Sequence, residues 1–299
     1  MRSSDAGTPA MSSRSAIGLL LGIGSALVGA FVFAPAALLS GTYGAYSDET
    51  ALRDAVGRAL VEYWQSGRPQ FPALLVTLVD YWFRWHAIKV VISLSMFVVF
   101  ALLAAALWRR YLHGATRHAA DAISPTRRAV GSISPTRHPA DGIGRTRHAL
   151  GAIGATVFTV LVMGVLVLNI QATAVPLVAL LPLQAGGGSG SGLDRTLTEM
   201  REGLTAPAGS PALTVLLGEA ERYQWVMVAM AVTALTVAGL AGAFLWRRRG
   251  TGGVRVRFMR RTLTVILALT ASLLLLVVAG GVVSAIEPAG TLRAALGLG

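Results

Sequence analysis

The sequence predicts an all-α integral membrane protein: a helical bundle of about five transmembrane helices, built as two parallel helical-hairpin repeats plus one extra helix. Three observations carry that reading. First, the chain is 54% hydrophobic and only 13% charged, with a mean hydropathy of +0.62, whereas soluble domains are about one quarter charged. Second, apolar runs of about twenty residues recur, each long enough as a helix to cross about 30 Å of hydrocarbon. Third, one such run has a second copy. The stretch from Asp80 to Arg110 aligns without a gap with the one 138 residues on, setting Arg84 against Arg222 and Trp108 against Trp246.

Residues 1–15 are short and polar, with Arg2 and Arg14, and read as a cytoplasmic N-terminus. The first span covers about 16–37. Its rival reading is a cleaved signal peptide, because Ala34-Pro35-Ala36 resembles a small-residue cleavage site. Both readings put the next segment outside. Within that outer segment, 41–86, Leu52, Ala55, Val56, Ala59, Leu60, Tyr63 and Trp64 fall at helical spacing along one face. Asp48 and Glu49 suit its start and Gly67 and Pro69 its end. The apolar face is expected to pack on the membrane helices, the alternative being a helix lying in the lipid surface. Pro72 suits the first position of a helix that leads into the second span, about 87–107.

Residues 113–150 form a basic loop with a ten-residue repeat, in which Thr-Arg pairs start at 116, 126, 136 and 146. Pro125, Pro135 and Pro139 argue against a continuous helix there. The second repeat, 151–250, opens with a span at about 152–172. Its apolar run continues past Pro176 to Leu183, which predicts a kink, a tilt or an interfacial piece. The outer segment 173–223 contains the linker GGGSGSG and a second amphipathic pattern at Leu193, Leu197, Met200 and Leu204. A fourth span at about 224–245, a basic loop at 251–261, a fifth span at 262–286 and an outer tail at 287–299 complete the chain.

The charges orient this layout. Segments assigned inside hold 17 arginines, two in 1–15, eight in 109–150 and seven in 247–261, against three acids. Segments assigned outside hold eight arginines and Lys89 against 11 acids. Basic loops stay on the cytoplasmic side, so a cell-membrane protein with its N-terminus inside and its C-terminus outside is expected.

One cluster of side chains stands out. Asp80, Arg84, His86 and Lys89 line the outer mouth of the second span, and Glu221 and Arg222 occupy the equivalent end of the fourth. A functional reading is a polar site between the repeats, for an anionic ligand or a proton relay. Interfacial anchoring beside Trp82, Trp85 and Trp225 is the simpler account. Deeper in the spans the chain is nearly free of ionisable groups, which argues against an ion-coupled transporter. Asn169 and Gln171, near the outer end of the third span, are expected to hydrogen-bond to neighbouring helices.

Other chemistry is thinly supported. The chain has no cysteine, which excludes disulfides and thiolate sites. His113, His118, His138 and His148 lack the spacing and carboxylate of a zinc helix, and arginine precedes the last three. No catalytic, cofactor-binding or metal-binding residue is predicted, no cofactor is expected, and enzymatic activity has no support. The net charge of +12 sits in loops suited to setting topology and touching anionic lipid, more than to binding nucleic acid.

Arg84-Trp85-His86 and Arg222-Tyr223-Gln224 precede the paired spans, and each span ends in Leu-Trp-Arg-Arg. This pattern resembles uncharacterised bacterial multi-pass membrane proteins, and the resemblance implies no activity. The expected role is a non-enzymatic membrane scaffold or accessory component that binds a membrane or envelope protein partner. The alternative is a transporter or channel for a lipid-like or small anionic substrate between the repeats.

Overall fold

A computed structural model describes residues 13–46, 48–113, 140–185, 191–205, 209–248 and 252–298. Among them there are helices and turns and no strand. The helices are α1 (Ser13–Tyr43), α2 (Glu49–Ser66), α3 (Ala73–His113), α4 (Ala140–Ala174), α5 (Pro176–Leu180), α6 (Ser191–Gly203), α7 (Pro211–Arg247), α8 (Val254–Ile286) and α9 (Pro288–Leu296). Five of them, α1, α3, α4, α7 and α8, are long and apolar enough to cross a membrane. The protein is a multi-pass, membrane-type helical bundle.

Local chemistry sets the element ends. The Asp48 carboxylate caps α2 by accepting from the Ala51 amide at 2.9 Å, and the Ser210 hydroxyl caps α7 at Leu213. Pro176 and Pro288 start new helices, since a proline disfavours helical geometry in the residue before it, whereas Pro35 is accommodated inside α1. Val175 accordingly sits at φ −137°, ψ 72° and Glu287 at φ −120°, ψ 69°. The apolar run past Pro176 is thus a broken helix followed by a 3₁₀ turn at Leu181–Gln184. α4 begins at Ala140, well before the apolar run. Beyond Pro139 no proline interrupts the chain until Pro176, so the helix propagates back through the last basic unit. The remaining repeat units, and residues 186–190 of the glycine linker, lie outside the described residues.

One side of the bundle carries a folded cap, and it holds the main core. α2, α6, α9, α5 and the 3₁₀ turn close over the ends of α3 and α7. Leu52, Val56, Leu60, Leu180, Met200 and Leu292 are buried there with Leu75, Leu78, Leu213 and Leu216. The predicted apolar face of α2 is therefore consumed in packing. Residues 287–298, expected to be a tail, fold back so that Leu292 and Leu296 enter this core. Buried polar bonds tie the cap together: Tyr63 donates to the Ala212 carbonyl at 3.2 Å, and Gln184 Nε2 to the Arg53 carbonyl at 2.9 Å.

The spans themselves are loosely joined. In the most apolar window of α1 and of α8, 6% of residues are buried, rising to 22% in α3 and α4. α3 packs between α1 and α4, and α7 pairs with α8. Two glycines mark close approaches: a Cβ at Gly24 would sit 2.9 Å from Phe100, and one at Gly281 would sit 2.8 Å from Val228. At the arginine-rich end, Arg255 donates to the Tyr111 carbonyl at 3.3 Å, joining α8 to α3.

Candidate polar site at the cap boundary

The predicted cluster lies where α3 and α7 leave the cap. Asp80 and Arg84, one helical turn apart, form an ion pair at 2.9 Å, and the Tyr43 hydroxyl of α1 also donates to Asp80. The pair is open, with side-chain exposures of 56% for Arg84 and 42% for Asp80, so its net contribution is below about 1 kcal/mol.

His86 turns to the opposite neighbour. Its Nδ1 lies 3.0 Å from Asn169 Oδ1 on α4, and Trp82 packs edge-on to the imidazole with centroids 4.9 Å apart. Lys89 is held by aromatic faces, its ammonium 4.9 Å from the Phe31 ring and 5.3 Å from the Trp85 ring. Such cation–π contacts stabilise a half-buried ammonium that pairs with no carboxylate among the described residues.

Glu221 and Arg222 do not join this group. Glu221 accepts from Trp225 Nε1 at 3.2 Å, and Arg222 pairs with Glu219 at 3.7 Å, all within α7. Among the described residues no ion pair or hydrogen bond links them to Asp80, Arg84, His86 or Lys89. The six residues thus form five local arrangements, three of them at the mouth of α3 and two on α7. The two repeats connect instead through α3 and α4, by the His86–Asn169 contact and by Trp108 Nε1, which donates to the Thr156 hydroxyl at 3.1 Å. Within the second repeat, Gln171 Nε2 donates to the Tyr223 carbonyl at 3.1 Å.

Buried faces of α3 and α4 hold polar atoms without partners among the described residues. Trp82 Nε1, His86 Nε2, Ser93 Oγ and Gln171 Oε1 are buried and unbonded among the described residues. Ser93 and Gln171 are fully buried. Leaving such groups unsatisfied costs about 1–3 kcal/mol each.

The cap surface has a groove of about 550 Å³, bordered by Arg53, Asp54, Arg58, Glu62, Gln65 and Gln184 and floored in part by Val61 and Leu193. It exposes the charged face of α2, the face opposite the core. Sequence reasoning missed this groove and the partners Tyr43 and Phe31. Tyr43 and Asp80 are 37 residues apart on different helices, and no local spacing encodes that contact. Among the described residues no group of three or more His, Asp or Glu side chains is placed to hold a metal ion. His118 and His138 lie outside those residues.

No protein-family model matches the chain, and neither the search of curated proteins nor that of solved structures returned a match.

Proposed function

We propose that this protein is a non-enzymatic scaffold or accessory component of the membrane, binding a protein partner through its cap. The observation that carries this reading is the division of packing. The cap owns a buried core while the spans bury little, so the fold invests its rigidity in a surface held outside the bilayer. The apolar face of α2 is inside that core, which leaves the charged groove along Arg53, Arg58 and Glu62 as the contact surface. The two units are an internal duplication in this reading. The arginine-rich end faces the cytoplasm and meets anionic lipid, and the cap faces outward across the cell membrane.

The test is affinity capture from native membranes with wild type, a groove variant (Asp54→Arg with Glu62→Arg) and a chain lacking 114–139. A stoichiometric partner lost only in the groove variant is expected. A partner retained by the groove variant and lost with 114–139 would move the contact to the basic loop. Because the chain lacks cysteine, Ser66→Cys and Ser132→Cys report sidedness directly. Labelling of Ser132→Cys from outside intact cells would refute the orientation.

A second reading, transport between the units, draws on the unpartnered Trp82, His86, Ser93 and Gln171 atoms, which a polar substrate or water would satisfy. It requires that Ser93→Ala abolish flux of an anionic substrate in liposomes. In the scaffold reading the same change leaves partner capture intact and the fold no less stable, because it removes an unsatisfied hydroxyl.

A further inference from the structure

At the arginine-rich end, Arg257, Arg260, Arg261 and Thr264 line a notch of about 290 Å³. They fall at i, i+3, i+4 and i+7 on one face of α8, so three guanidinium groups crowd into little more than one turn. Arg260 donates to the Arg248 carbonyl at the end of α7, which fixes one wall of the notch. The Thr264 hydroxyl is used on the Arg260 carbonyl at 2.8 Å, leaving the Arg257 and Arg261 guanidinium groups as the donors for a ligand. Among the described residues no carboxylate pairs with Arg257 or Arg261. The helix starts at Gly253 without a side-chain cap, so the positive end of its dipole adds to the same field.

What lies beyond the notch on α8 selects the kind of anion. Only Gly281 and Ala285 of α8 are buried. Val265, Leu269, Leu273 and Leu276 are 57–71% exposed along the span. A basic notch at the membrane boundary therefore continues into an apolar, outward-facing helix surface.

We propose that this notch is a specific site for the phosphate headgroup of an anionic phospholipid, whose acyl chains lie along α8. Guanidinium groups hold phosphate oxygens in bidentate pairs, and the exposed leucines supply the contact that a free anion lacks. The site rests on the reading that this end of the bundle meets anionic lipid, and it adds that one notch, not the arginines at large, selects the headgroup.

The test is native mass spectrometry of the full-length, delipidated protein titrated with phosphatidylglycerol, phosphatidylcholine or inorganic phosphate. Arg257→Gln with Arg261→Gln is compared with Arg109→Gln with Arg110→Gln, which removes the same charge elsewhere at this end. Wild type is expected to retain phosphatidylglycerol over phosphatidylcholine. The notch variant should lose about fivefold in affinity per arginine removed, and the control variant should match wild type. Equal weakening in both variants would overturn the site while leaving general lipid attraction standing. No preference for phosphatidylglycerol in wild type would overturn that underlying reading as well. Displacement of the lipid by inorganic phosphate at equal concentration would make the notch a free-anion site and refute the lipid assignment. Unchanged helical circular dichroism and unfolding temperature in both variants confirm that binding, and not folding, has been altered.

Discussion

The cap and the spans use the same residue types to opposite ends. In the cap, leucines from eight elements meet and disappear from the surface, as Leu60, Leu216 and Leu292 do at 0–1% exposure. In α8, Leu269 and Leu276 point outward at 68% and 71%. Leucine burial in water is driven by the hydrophobic effect, which vanishes between helices already dissolved in lipid. The cap is therefore held by apolar burial, and the spans by close contacts at Gly24 and Gly281, by a smaller set of buried side chains such as Leu103, Val162 and Leu166, and by a few hydrogen bonds. Stability should be concentrated in the cap.

Truncation is the strongest way to break that contrast. Leu60→Ala or Leu216→Ala should cost about 2–5 kcal/mol in reversible unfolding, as buried leucines do. Leu269→Ala or Leu276→Ala should change stability within about 0.5 kcal/mol. Equal costs in the two regions would mean that the spans are packed against something.

Proton chemistry sharpens the same contrast. Burial pushes the Tyr63 phenol up to about 12 from an ordinary value near 10. A folded-state pKa above the unfolded one gives stability that is complete below about pH 10 and lost as pH rises toward 12. The loss is read as unfolding free energy against pH. Tyr63→Phe should remove that alkaline slope, at the cost of the bond to the Ala212 carbonyl.

Within the membrane the expected effects are smaller. Gly281→Val would drive a side chain into Val228, whose Cγ2 lies 2.8 Å from the nearest added atom. Prising α7 from α8 should cost about 1–3 kcal/mol, read as a lower unfolding temperature in nanodiscs. Smallest of all, Asp80→Asn should cost under about 1 kcal/mol, because its pair with Arg84 is open to solvent.

The five spans were legible because apolar length alone encodes them. So were the amphipathic face of α2 and the Asp80–Arg84 pair, which rest on local spacing, while at Pro176 the sequence left a kink, a tilt or an interfacial piece open and the structure has a break. Two features were hidden. The chain 287–298 offers two leucines at i, i+4 and a proline start, too little pattern to announce a docked helix. The His86–Asn169 bond joins residues 83 apart, and only the packing of α3 on α4 brings them together. The same holds for the placement of Glu221 and Arg222, which aligned with the first unit in sequence yet bond only within α7.

The central claim is that α2 and α9 are buried parts of one cap and not amphipathic helices floating at the lipid surface. Hydrogen–deuterium exchange on the protein in nanodiscs tests it directly. The amides of Leu52–Tyr63 and Leu292–Leu296 should exchange slowly, and both should become fast together in Leu60→Ala. Fast and independent exchange of the two helices in the wild-type protein would contradict the account.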